Sequence, residues 1–565
     1  MRRVRKPLAG LLSWDNNFFP DGRVHAKGKR KPSEIIHYKV VRQSAILSKQ
    51  ETLFRWVEDC RRGGGRMPRD IFDMERIPPA LDLYLRETNP WWEEKPGPVL
   101  PAYHRWAFYL VLRKINAGLA PIVVIRGPRQ VGKTTLQQQL IEELLKNGVG
   151  PHRILRVQFD ELPSLSGLRD EILSISRWFE NRILGSSFNT TAHEGKPAYL
   201  FFDEVQNLAD WAPQLKALVD HNTVKVLVTG SSALRIEAGR DSLAGRITQV
   251  DLGTFLLREI IGLRQEVDLP PCLPDNGLEP LLRKDFWISL VEFGEKNRTV
   301  RDVGFSHFSE RGGYPMVQVH AQLPWAEVAD QLNETVIQRA ITHDLRMGRK
   351  GQKRDQSLLE EVFRLCCRYA GSAPGPAVFV SEIRQALAAN VGWNRVLSYL
   401  SFLDGALLIK RIHPLEIRLK RRKGNSKLCL CDHGLRASWL QEVIPLDPTQ
   451  LKAYPHLADL AGHLAESIVG YFLAGLPHLD VAHFPERPTE PEVDFVLTVG
   501  EHRIPLEVKY RQHIDPNRDT LGLRAFLEKT VYNAPFGVLI TMNDGFAVSD
   551  PRIVSLPLSS FLLMR

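Results

Sequence analysis

The chain has 565 residues, of which 43% are hydrophobic and 25% charged, a composition typical of a soluble globular protein of roughly three to five domains. A net charge of +10 and a pI near 9.2 permit a nucleic-acid partner without requiring one. The six cysteines form no Cys-x-x-Cys pair, so we expect neither a cysteine zinc site nor a disulfide framework. No apolar run reaches about eighteen residues, so we expect no membrane span. No cleavage signature follows the first residues, and we therefore expect a cytoplasmic protein.

Residues 1–100 are predicted to be an N-terminal extension of unknown role. Their first third is a basic arm punctuated by glycine and proline, which either touches phosphates or is a solvated tail. Residues 42–62 are predicted to be helical. Trp91 and Trp92 lie in a proline-rich segment and are interpreted as packing anchors. A helix over 104–117, ended by Gly118, leads to the next segment.

A phosphate-binding loop follows the apolar strand predicted at Ile122–Ile125. Residues Gly127–Thr134 fit the pattern G-x-x-x-x-G-K-[ST] and run into helix-forming residues, the order that a nucleotide site requires. The glycines let backbone N–H groups approach a polyphosphate, Lys133 supplies a point charge, and Thr134 offers its hydroxyl to Mg²⁺. The alternative is a glycine turn followed by an accidental lysine.

Residues 121–255 alternate apolar strands with helical segments, which predicts a parallel α/β sheet. The predicted strands are 121–126, 153–159, 198–203, 224–230 and 247–252. The third ends in Asp203 and Glu204, the form of a Walker B strand. Asp203 would then hold Mg²⁺, and Glu204 would orient and deprotonate the attacking water. The alternative is a strand that ends in a solvated acidic turn.

Two further residues are placed by the later strands of this sheet. Thr229 ends the fourth strand, where its hydroxyl can sense a γ-phosphate. Arg246 precedes the fifth strand and is either an arginine finger acting on a neighbouring subunit or a member of a surface ion pair. The residues predicted to bind nucleotide are Gly127, Pro128, Arg129, Gln130, Val131, Gly132, Lys133, Thr134, Thr135 and Thr229.

Taken together, these motifs resemble those of the prokaryotic archaeal-type AAA+ ATPases. The resemblance rests on Gly127–Thr135, Asp203–Gln206, Thr229–Ser232, Ser242–Arg246, Gly312–Pro315 and Asp344. It covers roughly residues 103–545. It implies ATP and Mg²⁺ as cofactors and four domains: an ATPase core at 101–255, a helical lid with an insertion at 256–345, a winged helix at 346–445 and a restriction-endonuclease-like domain at 446–565. The first hundred residues and the stretch near 262–300 depart from the family pattern.

Residues 346–445 look like a winged helix, with helices at 356–370, 380–387 and 393–403. Apolar residues at helical spacing in the third helix are interpreted as its buried face. The wing that follows is strongly basic, which suits contact with duplex phosphates, although a solvated hairpin is the alternative. Its cations are Lys420, Arg421, Arg422, Lys423 and Lys427.

A second group of chemically active residues lies near the end of the chain. A predicted helix carries Glu466, and a hairpin turning at 499–501 alternates so that Asp494, Glu507 and Lys509 share one face. This resembles the PD-(D/E)XK arrangement, which implies that Glu466, Asp494 and Glu507 bind Mg²⁺ while Lys509 positions the nucleophilic water. The alternatives are a solvated polar face or a fold that only binds DNA.

The predicted fold class is therefore a multidomain α/β protein with a P-loop AAA+ parallel sheet, a helical lid, a winged helix and a restriction-endonuclease-like α/β domain. The predicted function is ATP hydrolysis coupled to DNA binding and Mg²⁺-dependent DNA cleavage by a homo-oligomer. The alternative is a regulatory ATPase switch, or a DNA translocase or remodeller, whose nuclease-like domain only binds DNA.

Overall fold

A five-stranded parallel sheet forms the first half of the molecule. The computed structural model describes residues 77–565 except 161, 163–167, 209, 231–242, 275–276, 342–354, 417–423 and 489. The strand order is β2-β3-β4-β1-β5, and every neighbouring pair is parallel, which confirms the predicted sheet. The strands are β1 (Ile122–Arg126), β2 (Ile154–Gln158), β3 (Ala198–Asp203), β4 (Val224–Gly230) and β5 (Ile247–Asp251).

Hydrophobic clusters lie on both faces of this sheet, and the central strand β1 is apolar from Ile122 to Ile125. In β1, Val123 and Ile125 face one hydrophobic cluster, whereas Ile122 and Val124 face another. This is why the strand is a continuous apolar run rather than an alternating one. The helices of this half are α1 (Pro79–Thr88), α2 (Ala107–Ala117), α3 (Lys133–Lys146), α4 (Glu171–Phe179), α5 (Phe188–His193) and α6 (Trp211–His221).

The segment after residue 77 covers the open edge of β2. The Asn89 side chain accepts from the Arg156 N–H at 2.7 Å and donates to the Arg156 carbonyl at 2.9 Å. The indole N–H groups of Trp91 and Trp92 both donate to the carbonyl of Ile154, at 3.1 and 2.8 Å. The two tryptophans are thus packing anchors, as predicted. Because these contacts cover an edge strand, the segment around Asn89–Trp92, which lies within the predicted N-terminal extension, packs directly against the parallel sheet.

A helical segment follows the sheet and contacts the C-terminal part of the chain. Its helices are α7 (Leu257–Gln265), α8 (Lys284–Lys296), α9 (Arg298–Arg311), α10 (Pro315–Val319) and α11 (Trp325–Leu332). Arg301 on α9 is buried and forms a bidentate pair with Asp544, at 2.8 and 2.6 Å. This contact joins residues that lie far apart in the sequence.

The rest of the chain builds a second sheet that crosses the predicted domain boundary. The strand order is β12-β11-β10-β9-β8-β6-β7, and β6 pairs in parallel with β8. The predicted wing and the predicted nuclease-like domain therefore share one sheet, and residue 445 does not separate them. The strands are β6 (Ile409–Pro414), β7 (Lys427–Leu430), β8 (Asp480–Phe484), β9 (Val493–Val499), β10 (His502–Lys509), β11 (Gly537–Thr541) and β12 (Ile553–Pro557).

The helices of this half lie close to where the sequence places them. The three helices predicted between 356 and 403 occur as α12 (Gln356–Arg368), α13 (Pro376–Leu387) and α14 (Trp393–Gly405). The remaining helices are α15 (His433–Leu440), α16 (Pro448–Leu451), α17 (Ala458–Ala474), α18 (Leu521–Leu527) and α19 (Leu558–Phe561). In the described ranges, we find no helix with both the length and the apolar character needed to cross a bilayer.

Candidate functional site

The phosphate loop, defined as Gly127–Thr134, turns tightly between β1 and α3. A Cβ atom on Gly127 would lie 2.0 Å from the carbonyl oxygen of Leu252, so this position accepts only glycine. Gly132 has a φ of +87° and immediately precedes α3. The loop therefore directs the N-terminus of a fourteen-residue helix, with the N–H groups of its first turn, toward the carboxyl end of β1.

Lys133 is held inside the phosphate loop. Its ammonium group donates to the carbonyls of Gly127 and Pro128, at 3.1 and 2.9 Å. The side chain thereby follows the loop backbone on which phosphates would rest. This placement fits the predicted role of Lys133 as a point charge for the β- and γ-phosphates.

Three predicted residues meet at the carboxyl ends of neighbouring strands. The Thr134 hydroxyl donates to Asp203 at 2.8 Å, and the Thr229 hydroxyl donates to the other oxygen of the same carboxylate. Asp203 is fully buried, and burial raises the pKa of its carboxyl group. Since β1, β3 and β4 are parallel, their carboxyl ends lie along one edge of the sheet, where such folds bind ligands.

This arrangement fits a magnesium ion. The Thr134 hydroxyl and the Asp203 carboxylate are oxygen donors of the kind that Mg²⁺ prefers, and they already lie within hydrogen-bonding distance of each other. These two residues would hold the ion beside the phosphates of a bound nucleotide.

Glu204 lies directly after β3 in an unusual backbone conformation. Its φ is +51°, a region that non-glycine residues seldom occupy outside functional or tightly turned segments. The Gln206 side-chain amide donates to its carboxylate. Glu204 is thus fixed next to Asp203 at the ligand-binding edge, where a base for the attacking water is needed.

Arg246 lies at the opposite edge of the sheet. It immediately precedes β5 and forms a bidentate pair with Asp220 of α6, at 2.5 and 3.1 Å. The side chains of both partners are about one-third exposed. Within one chain Arg246 is therefore a member of a surface ion pair, and its action on the nucleotide of a neighbouring copy stays a prediction.

A buried ion pair beneath the phosphate loop was missed by the sequence analysis. Arg105 pairs with Glu259 at 3.1 and 2.8 Å, and both side chains are buried. The same guanidinium donates to the carbonyls of Val131 and Gly253, at 2.7 and 2.9 Å. Arg105 thus ties the phosphate loop to the segment that leads into α7. Its partners lie up to 154 positions away, so no local pattern could have indicated the pair.

The predicted residues of the second site also come together. Glu466 lies on α17, and the antiparallel register of β9 and β10 places Asp494 opposite Glu507. The Asp494 N–H donates to Glu507 at 3.4 Å, and Lys509 pairs with Glu507 at 2.5 Å. The structure thus brings Asp494, Glu507 and Lys509 of the hairpin together. We call Glu466, Asp494 and Glu507 the carboxylate cluster.

Lys427 corrects one part of the sequence analysis. It was expected to be a wing cation facing duplex phosphates, but its side chain is only 3% exposed. Its ammonium group donates to Asp494 at 2.7 Å and to Glu466 at 2.9 Å. Lys427 is buried because β7 belongs to the same sheet as the hairpin and packs against α17, which brings Lys427 into the carboxylate cluster.

Charge repulsion and burial perturb the carboxylate cluster. Burial, followed by the neighbouring Asp494, raises the pKa of both Glu466 and Glu507 to about 8. Burial also opposes ionisation of Asp494, but Lys427 and Lys509 together lower the pKa of that carboxyl group. A cation close to Glu466 or Glu507 therefore favours the ionised form of that carboxyl group and lowers its pKa.

As arranged, the carboxylate cluster does not fit a metal ion, although its oxygens are of the right kind. Asp494 accepts from Lys427 and, at 2.9 Å, from the Val508 N–H, while Glu507 accepts from Lys509 and the Asp494 N–H. Across the described part of the chain, no three or more His, Cys, Asp or Glu side chains are grouped so that they could hold a metal.

Several predicted features fall outside the described residues. These are the first seventy-six residues with their basic arm and predicted helix, Ser231, Ser232, Asp344 and the wing cations Lys420, Arg421, Arg422 and Lys423. Contact between the wing and DNA stays a prediction.

Two families match parts of the chain. Residues 304–444 match a family described only as a domain of unknown function, and residues 120–261 match a family described as an AAA domain. The residues that match the AAA domain contain the phosphate loop, Asp203 and Thr229. Residues 120–261 form an AAA-type ATPase domain.

Relatives of this chain carry no assigned activity. An uncharacterized protein of Haemophilus influenzae is 24% identical over 323 residues, 56% of this chain and 68% of that protein. An uncharacterized protein of Methanocaldococcus jannaschii is 22% identical over 358 residues, 62% of this chain and 67% of that protein. They extend the similarity beyond the ATPase domain without indicating a reaction.

Solved structures with some likeness include nucleotide-binding proteins. A Walker-type ATPase of Pyrococcus abyssi is 15% identical and covers 62% of this chain and 99% of its own, with a TM-score of 0.33. A DNA replication initiation factor is 13% identical and covers 55% of this chain and 90% of its own, with a TM-score of 0.20. Both TM-scores are too low to carry an argument.

Proposed function

We propose that this protein hydrolyses Mg²⁺-bound ATP and uses the cycle to act on DNA. The observation that carries the first part is the convergence of Lys133, Thr134 and Asp203 at the carboxyl-end edge of the parallel sheet. An anion-binding helix N-terminus, a fixed ammonium and a pair of hydroxyl and carboxylate oxygens are the groups that a triphosphate with its metal requires.

Each of these residues has a distinct task in the proposed reaction. The loop N–H groups and Lys133 bind and orient the phosphates, and Thr134 and Asp203 hold the ion. When bound, Mg²⁺ neutralises charge that develops on the phosphoryl oxygens. Glu204 orients the attacking water and accepts its proton. Arg246 of a neighbouring copy would stabilise the same charge, which makes the active form a homo-oligomer.

Replacing Glu204 by glutamine tests the assignment of the base. The amide keeps the size of the side chain but cannot accept a proton, so we expect ATP affinity to be preserved while turnover falls by about 10²- to 10⁴-fold. Phosphate release and binding of a fluorescent ATP analogue measure the two effects separately. Glu142→Gln on the exposed face of α3 is the matched control. Normal hydrolysis by Glu204→Gln would remove Glu204 from this role.

A second function, DNA binding with phosphodiester cleavage, is proposed for the C-terminal half. The specific observation in its favour is that Glu466, Asp494 and Glu507 meet Lys509 in one partly buried cluster, the set that the PD-(D/E)XK resemblance implies. Perturbed pKa values are common at functional sites, and here the pKa values of Glu466 and Glu507 are raised while that of Asp494 is lowered.

Cleavage is tested with Glu507→Gln on supercoiled, single-stranded and branched DNA, each with Mg²⁺ or Mn²⁺. We expect the wild-type protein to produce nicks and the variant to lose them by at least about 10²-fold. Glu501→Gln is a suitable control, since Glu501 lies in the turn of the same hairpin with its side chain 84% exposed. Equal nicking by both variants would mean that the cluster does not cut.

Different results are expected if the protein is an ATPase whose C-terminal half binds DNA without cutting it. A switch, translocase or remodeller would bind DNA and move or displace strands in an ATP-dependent way without leaving nicks. Cleavage that survives Lys133→Ala but disappears in Glu507→Gln would exclude it, because the two sites would then act separately on DNA.

A further inference from the structure

Arg156 places a buried positive charge beside Asp203 in the ATPase domain. It lies on β2 and is only 5% exposed, and one of its guanidinium nitrogens is 3.7 Å from a carboxylate oxygen of Asp203. A buried carboxylate is unfavourable unless an opposite charge or hydrogen-bond donors lie close to it. The sequence analysis assigned no role to Arg156, although its charge lies next to a residue proposed to hold Mg²⁺.

Two side-chain amides hold the guanidinium group of Arg156. Its Nε–H donates to the Gln137 side chain at 3.0 Å, and the nitrogen that faces Asp203 donates to the Gln158 side chain at 2.7 Å. Gln137 is fully buried and belongs to α3, the helix that begins in the phosphate loop. Because a guanidinium group presents its donors in a rigid planar fork, these two bonds fix the direction in which it faces Asp203.

The backbone of Arg156 is held separately from its side chain. The Asn89 side chain pairs with both the N–H and the carbonyl group of Arg156, at 2.7 and 2.9 Å, and β2 pairs in parallel with β3. A substitution of the Arg156 side chain therefore leaves these backbone contacts in place. An effect of such a substitution on the nucleotide site can then be assigned to the guanidinium group.

The distance between Arg156 and Asp203 leaves the carboxylate able to bind another group. A separation of 3.7 Å is within the range of an ion pair but exceeds the roughly 2.7–3.2 Å of an N–H···O hydrogen bond. The oxygen that faces Arg156 accepts from the Thr134 hydroxyl at 2.8 Å, and the other oxygen accepts from Thr229. Arg156 thus attracts the carboxylate without forming a hydrogen bond to it, unlike Lys427 in the carboxylate cluster.

We propose that Arg156 is a positioning residue for the Mg²⁺ site of the ATPase domain, whose fixed guanidinium group keeps the Asp203 carboxylate directed toward Thr134. This inference rests on the proposed hydrolysis of Mg²⁺-bound ATP. Groups that orient a metal-binding side chain from behind affect how tightly the metal is bound. Arg156 therefore sets the Mg²⁺ dependence of the site, whereas binding of the phosphates themselves depends on Lys133 and the phosphate loop.

Titration of the full chain with a fluorescent ATP analogue, at Mg²⁺ concentrations from zero to saturation, tests this role. For Arg156→Met we expect the Mg²⁺ concentration that gives half of the gain in nucleotide affinity to rise by about 10- to 100-fold, with unchanged affinity in the absence of Mg²⁺. Arg156→Lys keeps the charge but not the planar fork, so its shift should be smaller. Arg177→Met, at an exposed position of α4, is the control. Equal Mg²⁺ dependence of Arg156→Met and the wild type, or none in either protein, would overturn the proposal.

A second variant decides the question if Arg156→Met does not fold, which circular dichroism shows. Gln137→Met removes one of the two amides that hold the guanidinium group and leaves its charge in the chain, so we expect a smaller shift of the Mg²⁺ dependence in the same direction. A purely structural role of Arg156 would lower the amount of folded protein and leave this dependence unchanged in both variants. A wild-type protein that binds no ATP would refute the proposed function. Normal ATP binding with unchanged Mg²⁺ dependence in the variants would refute this inference alone.

Discussion

Lys133→Ala is expected to reduce ATP binding and hydrolysis more than any other single change in the ATPase domain. The substitution removes the fixed charge from a loop whose carbonyls of Gly127 and Pro128 hold it in place. Loss of one preorganised electrostatic contact typically lowers turnover by about 10²- to 10³-fold. Since the proposed function assigns Lys133 to the β- and γ-phosphates, affinity should fall together with turnover.

Titration with a fluorescent ATP analogue and a phosphate-release assay measure the two losses. Lys146→Ala at the other end of α3 is the matched control, because its side chain is 63% exposed and pairs with Glu142 on the helix surface. A thermal unfolding curve distinguishes lost contacts from lost folding. Tight ATP binding by the Lys133→Ala protein would refute the assignment of the phosphate loop.

Arg105→Ala is expected to cause the largest loss of stability. The substitution leaves the fully buried Glu259 carboxylate without its guanidinium partner. It also removes the donors to Val131 and Gly253. Breaking one side of a buried ion pair costs about 3–5 kcal/mol. Burial opposes ionisation of Glu259, but Arg105 keeps the pKa of that carboxyl group low. The stabilisation is therefore present at neutral pH and is lost as the pH falls through this pKa.

Urea unfolding of the wild type and variant measures this difference, with the exposed Arg113→Ala on α2 as control. The double variant Arg105→Ala/Glu259→Ala should lose less than the sum of the single losses, because it leaves no unpaired buried charge. ATP affinity should also decrease, since Arg105 holds the Val131 carbonyl of the phosphate loop. Additive losses, or an unchanged midpoint for Arg105→Ala, would show that the pair is not a linked unit.

The features that were predicted successfully can each be recognised from a short run of consecutive residues. The strands β1 and β3 are short runs of mainly apolar residues, and the phosphate loop is a continuous pattern with glycines where the backbone requires them. The hairpin that aligns Asp494 with Glu507 follows from an alternation of period two on both sides of a turn at Gly500.

The features that were missed depend on distant segments. Lys427 was interpreted from the basic stretch around it, but the pairing of β6 with β8 places β7 in the same sheet as the hairpin of β9 and β10 and brings Lys427 inside. For Arg246 the sequence left open an arginine finger or a surface ion pair, and only the fold identifies Asp220 as its partner. In each case the contact joins two elements that are neighbours only in the folded chain, and a local sequence pattern does not show which elements become neighbours.

The sequence by itself determined the approximate positions of the strands of the parallel sheet and of the three helices between 356 and 403, the pattern of the phosphate loop, and the alternation that aligns Asp494 with Glu507. These depend on backbone propensity and periodicity over a few residues, which act wherever the segment lies. Only the tertiary structure decided that Arg105 secures the phosphate loop and that Lys427 occupies the carboxylate cluster. The energy of a buried charge depends on which partners the fold brings within about 4 Å, and that distance is set by the packing of the whole chain.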